Sequence, residues 1–233
     1  MRLQTPFVTL FFLLVTAAAC SGQSTPPEND FQIWHETTFI LPVVKAKDST
    51  GKDFDRLSLL FIGSLRLGQN RLAPVDERVG GGFDLVLNKN WNVTPTYLYI
   101  AGQPARGRKE FEHRLRFEAT FNQKFKNFSI KDRNRVEYRI RNARQDSVRY
   151  RNKFTFSVPW TKDGKEVITP YISTEPYYDF TAEQWSRNDL SPGFTKKFTD
   201  KLSGDFFYVW RANRTGLPKN VHALGFNLKV KLK

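Results

Sequence analysis

The closing stretch Leu224-Gly-Phe-Asn-Leu-Lys-Val-Lys-Leu-Lys233 decides how the rest of the chain is read. Leu224, Phe226, Leu228, Val230 and Leu232 alternate with Gly225, Asn227, Lys229, Lys231 and Lys233. A period of two puts the apolar side chains on one face of an extended strand and the lysines on the other. The same pattern recurs upstream. Leu115, Phe117, Ala119 and Phe121 alternate with Arg114, Arg116, Glu118, Thr120 and Asn122. Val136, Tyr138 and Ile140 alternate with Arg135, Glu137, Arg139 and Arg141, and Phe154, Phe156, Val158 and Trp160 with Lys153, Thr155, Ser157 and Pro159. A helical period is almost absent, so the chain reads as all-β.

Working outward, Leu57 to Leu67 and Phe83 to Leu87 alternate less cleanly, and Pro95 and Pro176 mark strands that bend or break. Turn signals punctuate the runs: Asp48 to Lys52, Asn88 to Asn90, Gly102 to Gly107, Ser203-Gly204 and Gly216 to Pro218. Asp163-Gly164 between two strands predicts a tight hairpin. About eleven strands follow, beginning near Trp34, Leu57, Val79, Val93, Arg114, Arg133, Arg149, Val167, Trp185, Leu202 and Val221. A closed antiparallel barrel of bacterial type has an even number, so about ten or twelve are expected. No internal repeat or change of composition divides this stretch.

Composition narrows the class. The chain has 233 residues with 37 Lys and Arg against 23 Asp and Glu, a formal charge of +14. Aromatics reach 15%, which argues against disorder. One cysteine excludes a disulfide scaffold and a Cys-based zinc site, and three scattered histidines speak against a metal centre. No cofactor is expected.

The first residues read as an export leader. Arg2 gives a positive start, Phe7 to Ala19 is apolar, and Ala17-Ala18-Ala19 offers small residues for cleavage. At about 1.5 Å per residue this segment is too short to cross a core of about 30 Å. Cys20 resembles the lipidated cysteine of bacterial lipoproteins, with Ala17 where Leu is commoner; the alternative is ordinary cleavage leaving a free thiol. Residues 1–19 are therefore read as a signal peptide, 20–30 as a polar linker and 31–233 as one β-barrel.

Alternation alone does not say which face is outside. The charged positions form a dense set: Arg114, Arg116, Glu118, Arg133, Arg135, Glu137, Arg139, Arg141, Arg149, Arg151, Glu175 and Asp179, with Asp189 and Asp205 at similar positions. Arginine and carboxylate in bidentate geometry suit a crowded polar interior, so these residues are expected as a charge ladder in a barrel lumen. Phe117, Phe156, Phe226 and Leu228 are then expected on the lipid face near mid-height. Trp34, Trp91, Tyr97, Tyr99, Trp160, Tyr177, Tyr178, Trp185, Tyr208 and Trp210 read as interfacial girdles. The alternative is a soluble periplasmic β-barrel or sandwich, apolar face inward, acting as a binding protein.

Four stretches carry a family likeness: Arg133-Asn-Arg-Val-Glu-Tyr-Arg-Ile-Arg141, Arg149-Tyr-Arg-Asn-Lys153, Ser173-Thr-Glu-Pro-Tyr-Tyr-Asp-Phe180 and His222-Ala-Leu-Gly225. Together they resemble an uncharacterised family of bacterial outer-membrane β-barrels known only as a domain of unknown function. The resemblance covers most of Trp34 to Leu232. It implies a closed transmembrane β-barrel of about 10–12 strands, among outer-membrane lipids and inserted by the barrel assembly machinery; no activity comes with it. Such barrels usually end on an aromatic residue, whereas this chain ends Leu232-Lys233.

Catalysis on barrels of the phospholipase kind needs a base within reach of a hydroxyl, with histidine two residues before serine. His35, His113 and His222 give no such spacing to serine; His35-Glu36-Thr37 offers a threonine instead. No catalytic residue is assigned. His35 is expected in a girdle or the lumen, and His222 capping the apolar face at the interface. The arginines are spread over several strands with no nucleic-acid-binding motif, so nucleic acid is not an expected partner. Three functions remain, in this order: a structural or narrow barrel with a charged lumen, an anion-selective pore, and a lipid-handling barrel enzyme.

Overall fold

The alternating segments become strands that each pair with their neighbours in sequence. The computed structural model describes residues 28–232 apart from 49 and 106; the leader, Cys20 and most of the linker lie outside the described residues. Its strands are β1 (Asn29–Lys47), β2 (Asp53–Gly68), β3 (Ala73–Val86), β4 (Trp91–Ala105), β5 (Arg108–Lys124), β6 (Ser129–Arg141), β7 (Ser147–Ser157), β8 (Trp160–Lys162), β9 (Lys165–Asp179), β10 (Gln184–Lys197), β11 (Leu202–Asn213) and β12 (Asn220–Lys231). No helix occurs among the described residues. Pro95 and Pro176 lie inside β4 and β9, which run on past them.

The strand β8 is only the short arm of a hairpin. Asp163 and Gly164 turn it with φ of 52° and 73°, the left-handed pair that a tight hairpin requires. It pairs with β9 alone and stands outside the wall, where β7 pairs with β9 directly. The remaining strands close on themselves: β12 returns to β1, in register from Asn29 opposite Asn220 to Ile40 opposite Lys231.

That last pairing is parallel, and it corrects the expected even count. The closed wall has eleven strands. Up-and-down strands alternate in direction, so an odd number brings the first and last together running the same way. The even-number rule assumes an antiparallel seam; a strand edge offers its N–H and C=O groups to either partner. The rim at which β1 begins carries the loops 142–146, 180–183 and 214–219; we call it the N-terminal rim. The C-terminal rim carries the turn 125–128 and the end of β12. The β1–β2 turn shows the local chemistry: Asp48 Oδ1 accepts from the Thr50 N–H at 2.8 Å, the Thr50 hydroxyl at 2.6 Å and the Lys52 N–H at 3.0 Å. The Thr50 hydroxyl first, then those backbone donors, hold its carboxyl below the usual carboxylate range.

The faces sort as a membrane wall sorts them. Val79, Phe117, Leu224 and Phe61 point outward, each more than half exposed. Glu137, Arg114, Arg149 and Asp189 point inward and are buried. Phe156 is outward as expected but sits at the C-terminal rim beside Phe128, ring centroids 5.5 Å apart, rather than at mid-height.

Strand β3 comes unusually close to β4. A Cβ on Gly80 would lie 2.0 Å from the Tyr97 carbonyl oxygen, and one on Gly82 would lie 2.2 Å from that of Pro95. Both obstacles are backbone, so the sheet itself would have to give. Gly80→Ala and Gly82→Ala should each destabilise the barrel by about 1–3 kcal/mol or more, as overpacking does. Gly63→Ala, whose Cβ meets nothing within 4 Å, serves as the control. Equal urea midpoints for all three variants would refute the close approach.

Candidate functional site

Inward positions on β5, β6, β7 and β9 bring together most of the charged residues singled out above, because strict alternation gives each strand one charged face. Their connectivity is a closed ring. Arg135 Nη2 lies 2.9 Å from Glu118 and its Nη1 lies 3.4 Å from Glu137. Glu137 is 2.9 Å from Arg151, and Arg151 is 2.8 Å from Glu175. Glu175 is 2.7 Å from Arg133, and Arg133 returns to Glu118 at 3.5 Å. Three carboxylates and three guanidinium groups thus alternate around a loop in the lumen.

Glu137 is the most connected member. Arg149 reaches its Oε2 with Nε at 3.0 Å and Nη2 at 2.5 Å, while Arg151, Arg135 and Arg114 approach Oε1 at 2.9, 3.4 and 4.0 Å. Its side chain has no solvent exposure. A carboxylate so placed depends on its arginines, and they depend on it. Toward the N-terminal rim Glu112 joins Arg114 at 2.6 Å to Arg139 at 2.8 Å.

Three of the expected members stand apart. Arg116 donates to Thr96 Oγ1 at 2.8 Å. Arg141 donates to the Gln145 carbonyl at the rim. Asp179 caps the β9–β10 turn, accepting from the N–H groups of Thr181 and Ala182 at 3.0 and 3.2 Å. Its place at the last residue of β9 ties it to the turn.

Two aromatics assigned to the girdles lie inside instead. Trp34 is 7% exposed and packs with Val209, Val221 and Ala223, with Arg66 3.9 Å and Arg211 4.6 Å from its ring centroid. Tyr177 is 1% exposed; Arg151, Arg149 and Arg187 lie 4.3, 5.1 and 5.3 Å from its ring. Parity was the available signal. Trp34 alternates in phase with Asp30, Gln32 and Glu36, and Tyr177 with Glu175 and Asp179. The Tyr177 hydroxyl donates to Asp189 at 2.8 Å, and Arg211 grips the same carboxylate bidentately at 2.8 and 2.7 Å. Arg66, Asp76, Arg78, Arg187 and Arg211 line the same interior, and their strands alternate less cleanly, so the sequence marks them less plainly.

At mid-height the lumen is lined by this charged ring on one side and by apolar side chains on the other, where Ile62, Leu98 and Ile100 form a second cluster. Next to these residues a cavity of about 410 Å³ opens toward the N-terminal rim. Ten arginines and five carboxylates line it. Arg187 lines it too; its Nε donates to Asn213 Oδ1 at 2.6 Å, and among the described residues no carboxylate lies within 4 Å of it.

All three histidines face outward. His35 Nδ1 lies 3.1 Å from the Phe226 carbonyl oxygen and its Nε2 lies 2.9 Å from Thr37 Oγ1. Donation by Nδ1–H to the carbonyl leaves Nε2 to accept from the threonine, a tautomer assigned from these partners. His113 meets the Tyr97 hydroxyl at 2.7 Å, and His222 meets that of Tyr208.

A family model described as a protein of unknown function (DUF2490) matches residues 29–221. The chain belongs to this family. No curated protein matches this DUF2490 member. Two solved structures are similar to it. One is the NanC porin, 9% identical, covering 82% of this chain and 92% of that one with a TM-score of 0.46. The other is an anion-selective porin from Comamonas acidovorans, 11% identical, covering 80% and 59% with a TM-score of 0.37.

Proposed function

We propose that this DUF2490 member is an outer-membrane β-barrel, closed at mid-height, whose N-terminal basin holds small anions. The observation that carries the membrane reading is the inversion of faces. In water, burying Glu137 and Arg149 while exposing Phe61, Phe117 and Leu224 has no counterpart in a stable core; in a bilayer every one of those positions is satisfied. Outer-membrane lipids would cover the wall, and the barrel assembly machinery would insert it.

The closed lumen follows from side chains, since an interior of this size is filled by long residues. The anion reading rests on the cavity, where positive charge outnumbers negative two to one and Arg187, among the described residues, has no carboxylate within 4 Å. Three measurements test it. The protein should sediment with outer membrane and migrate faster unboiled than boiled. In planar bilayers it should be silent. Citrate, at ionic strength matched with chloride, should raise the melting temperature of the wild type and leave that of Arg187→Gln unchanged. Large, steady, anion-selective openings in the wild type would overturn the closed lumen in favour of a pore, and equal shifts with citrate and chloride would remove the anion site.

A further inference from the structure

Outward positions of β6 and β7 break the apolar rule in one place. Asp132, Asn134, Tyr150 and Asn152 stand together there, all half-buried. Asn152 Nδ2 donates to Asp132 Oδ1 at 2.6 Å, Asn134 Nδ2 to Asp132 Oδ2 at 3.0 Å, and the Tyr150 hydroxyl to Asn134. On the next strands Thr174 and Asn188, both exposed, bond to each other at 3.2 Å.

The height of this patch matters. β7 has 11 residues, the shortest strand of the wall, and a strand needs about 9–11 to cross a bilayer core. It has no length to spare. Asn152 lies near its midpoint, opposite Asn134 in register, so the patch sits at the depth of the acyl chains.

We propose that this patch is the contact through which two copies of the chain pair side by side in the membrane. The inference rests on the membrane reading above. Lipid headgroups lie at the rims and acyl chains offer no hydrogen bond, so whatever completes these groups is protein. A carboxylate left on a lipid-facing wall is costly. A two-fold axis along the membrane normal sets every group of one copy against groups of equal height on the other. The polar patch then meets its own image. Amides serve that arrangement because each carries donors and an acceptor; among the described residues Asn152 Oδ1 takes part in no hydrogen bond, which leaves it to accept from the second copy.

The test uses the full chain in lipid vesicles. With Cys20→Ser as background, Asn152→Cys should give a disulfide-linked dimer under mild oxidation, while Val79→Cys, exposed on β3, should give none. Asn134→Leu combined with Asn152→Leu should raise the dimer dissociation constant about tenfold or more while heat-modifiable migration is kept. A wild type that inserts and stays monomeric, or cysteine variants that link equally at both positions, would overturn the pairing and leave the membrane reading standing. A chain that fails to sediment with membranes would overturn both. Should the double variant misfold, the cross-linking pair alone decides.

Discussion

Glu137→Ala should cost the barrel about 3–5 kcal/mol of unfolding free energy, the loss expected when a buried ion pair is broken from one side. Four arginines converge on this carboxylate, at 2.5 to 4.0 Å. Removing it leaves their charges facing one another in a poorly hydrated space. Alanine also vacates the point at which Arg135 and Arg151 complete the ring, so the floor of the basin opens. Two readouts follow: a lowered urea midpoint on refolding into vesicles, and a leak in planar bilayers where the wild type is silent. Thr161→Ala, on the exposed strand β8 outside the wall, sets the scale for a harmless change. A Glu137→Ala barrel within about 0.5 kcal/mol of wild type, the range of ordinary surface substitutions, would mean that lumen water already compensates these charges.

The second large effect concerns the wall. Phe117 is 55% exposed and lies midway along β5. Phe117→Arg should cost about 2–4 kcal/mol, the range for arginine at the bilayer midplane. Asn227 points into the lumen opposite Asp205 on β11, so Asn227→Arg gains a carboxylate neighbour and should be tolerated. The contrast matters more than either value. Two equal losses would reject the assigned faces, and a neutral Phe117→Arg would mean that water, not lipid, bathes the outer wall.

Much of this was legible from alternation, for a physical reason: a strand wetted differently on its two faces must encode both in a period of two. β5, β6, β7 and β12 declare their faces this way, and with them most of the lumen arginines and carboxylates. What alternation leaves out is closure. Whether β12 meets β1 parallel or antiparallel depends on the number of strands between them, and no single strand carries that number. Nor does alternation say which carboxylate each arginine takes. Arg133 bonds across to Glu175 on β9, two strands away from β6, a choice set by the curvature of the wall. Trp34 and Tyr177 show a different limit. As aromatics they look like girdle residues, yet their parity puts them inside, where arginines cover their rings. The Asp132, Asn134 and Asn152 patch was open to the same parity argument, since Val136 and Tyr138 fix the outward phase of β6.

The parallel seam bears on how this chain can be rewired. A barrel with an even number of strands keeps both ends on one rim, where a few residues can join them and fresh ends can be cut elsewhere. Here Asn29 and Lys231 lie on opposite rims, separated by the barrel's height, roughly 30 Å for a tilted strand of this length. A joining segment would have to cross the filled interior or lie along the greasy exterior. Circular permutation is thus closed to this topology, and reporters fused beside β1 and beside β12 would sit in different compartments.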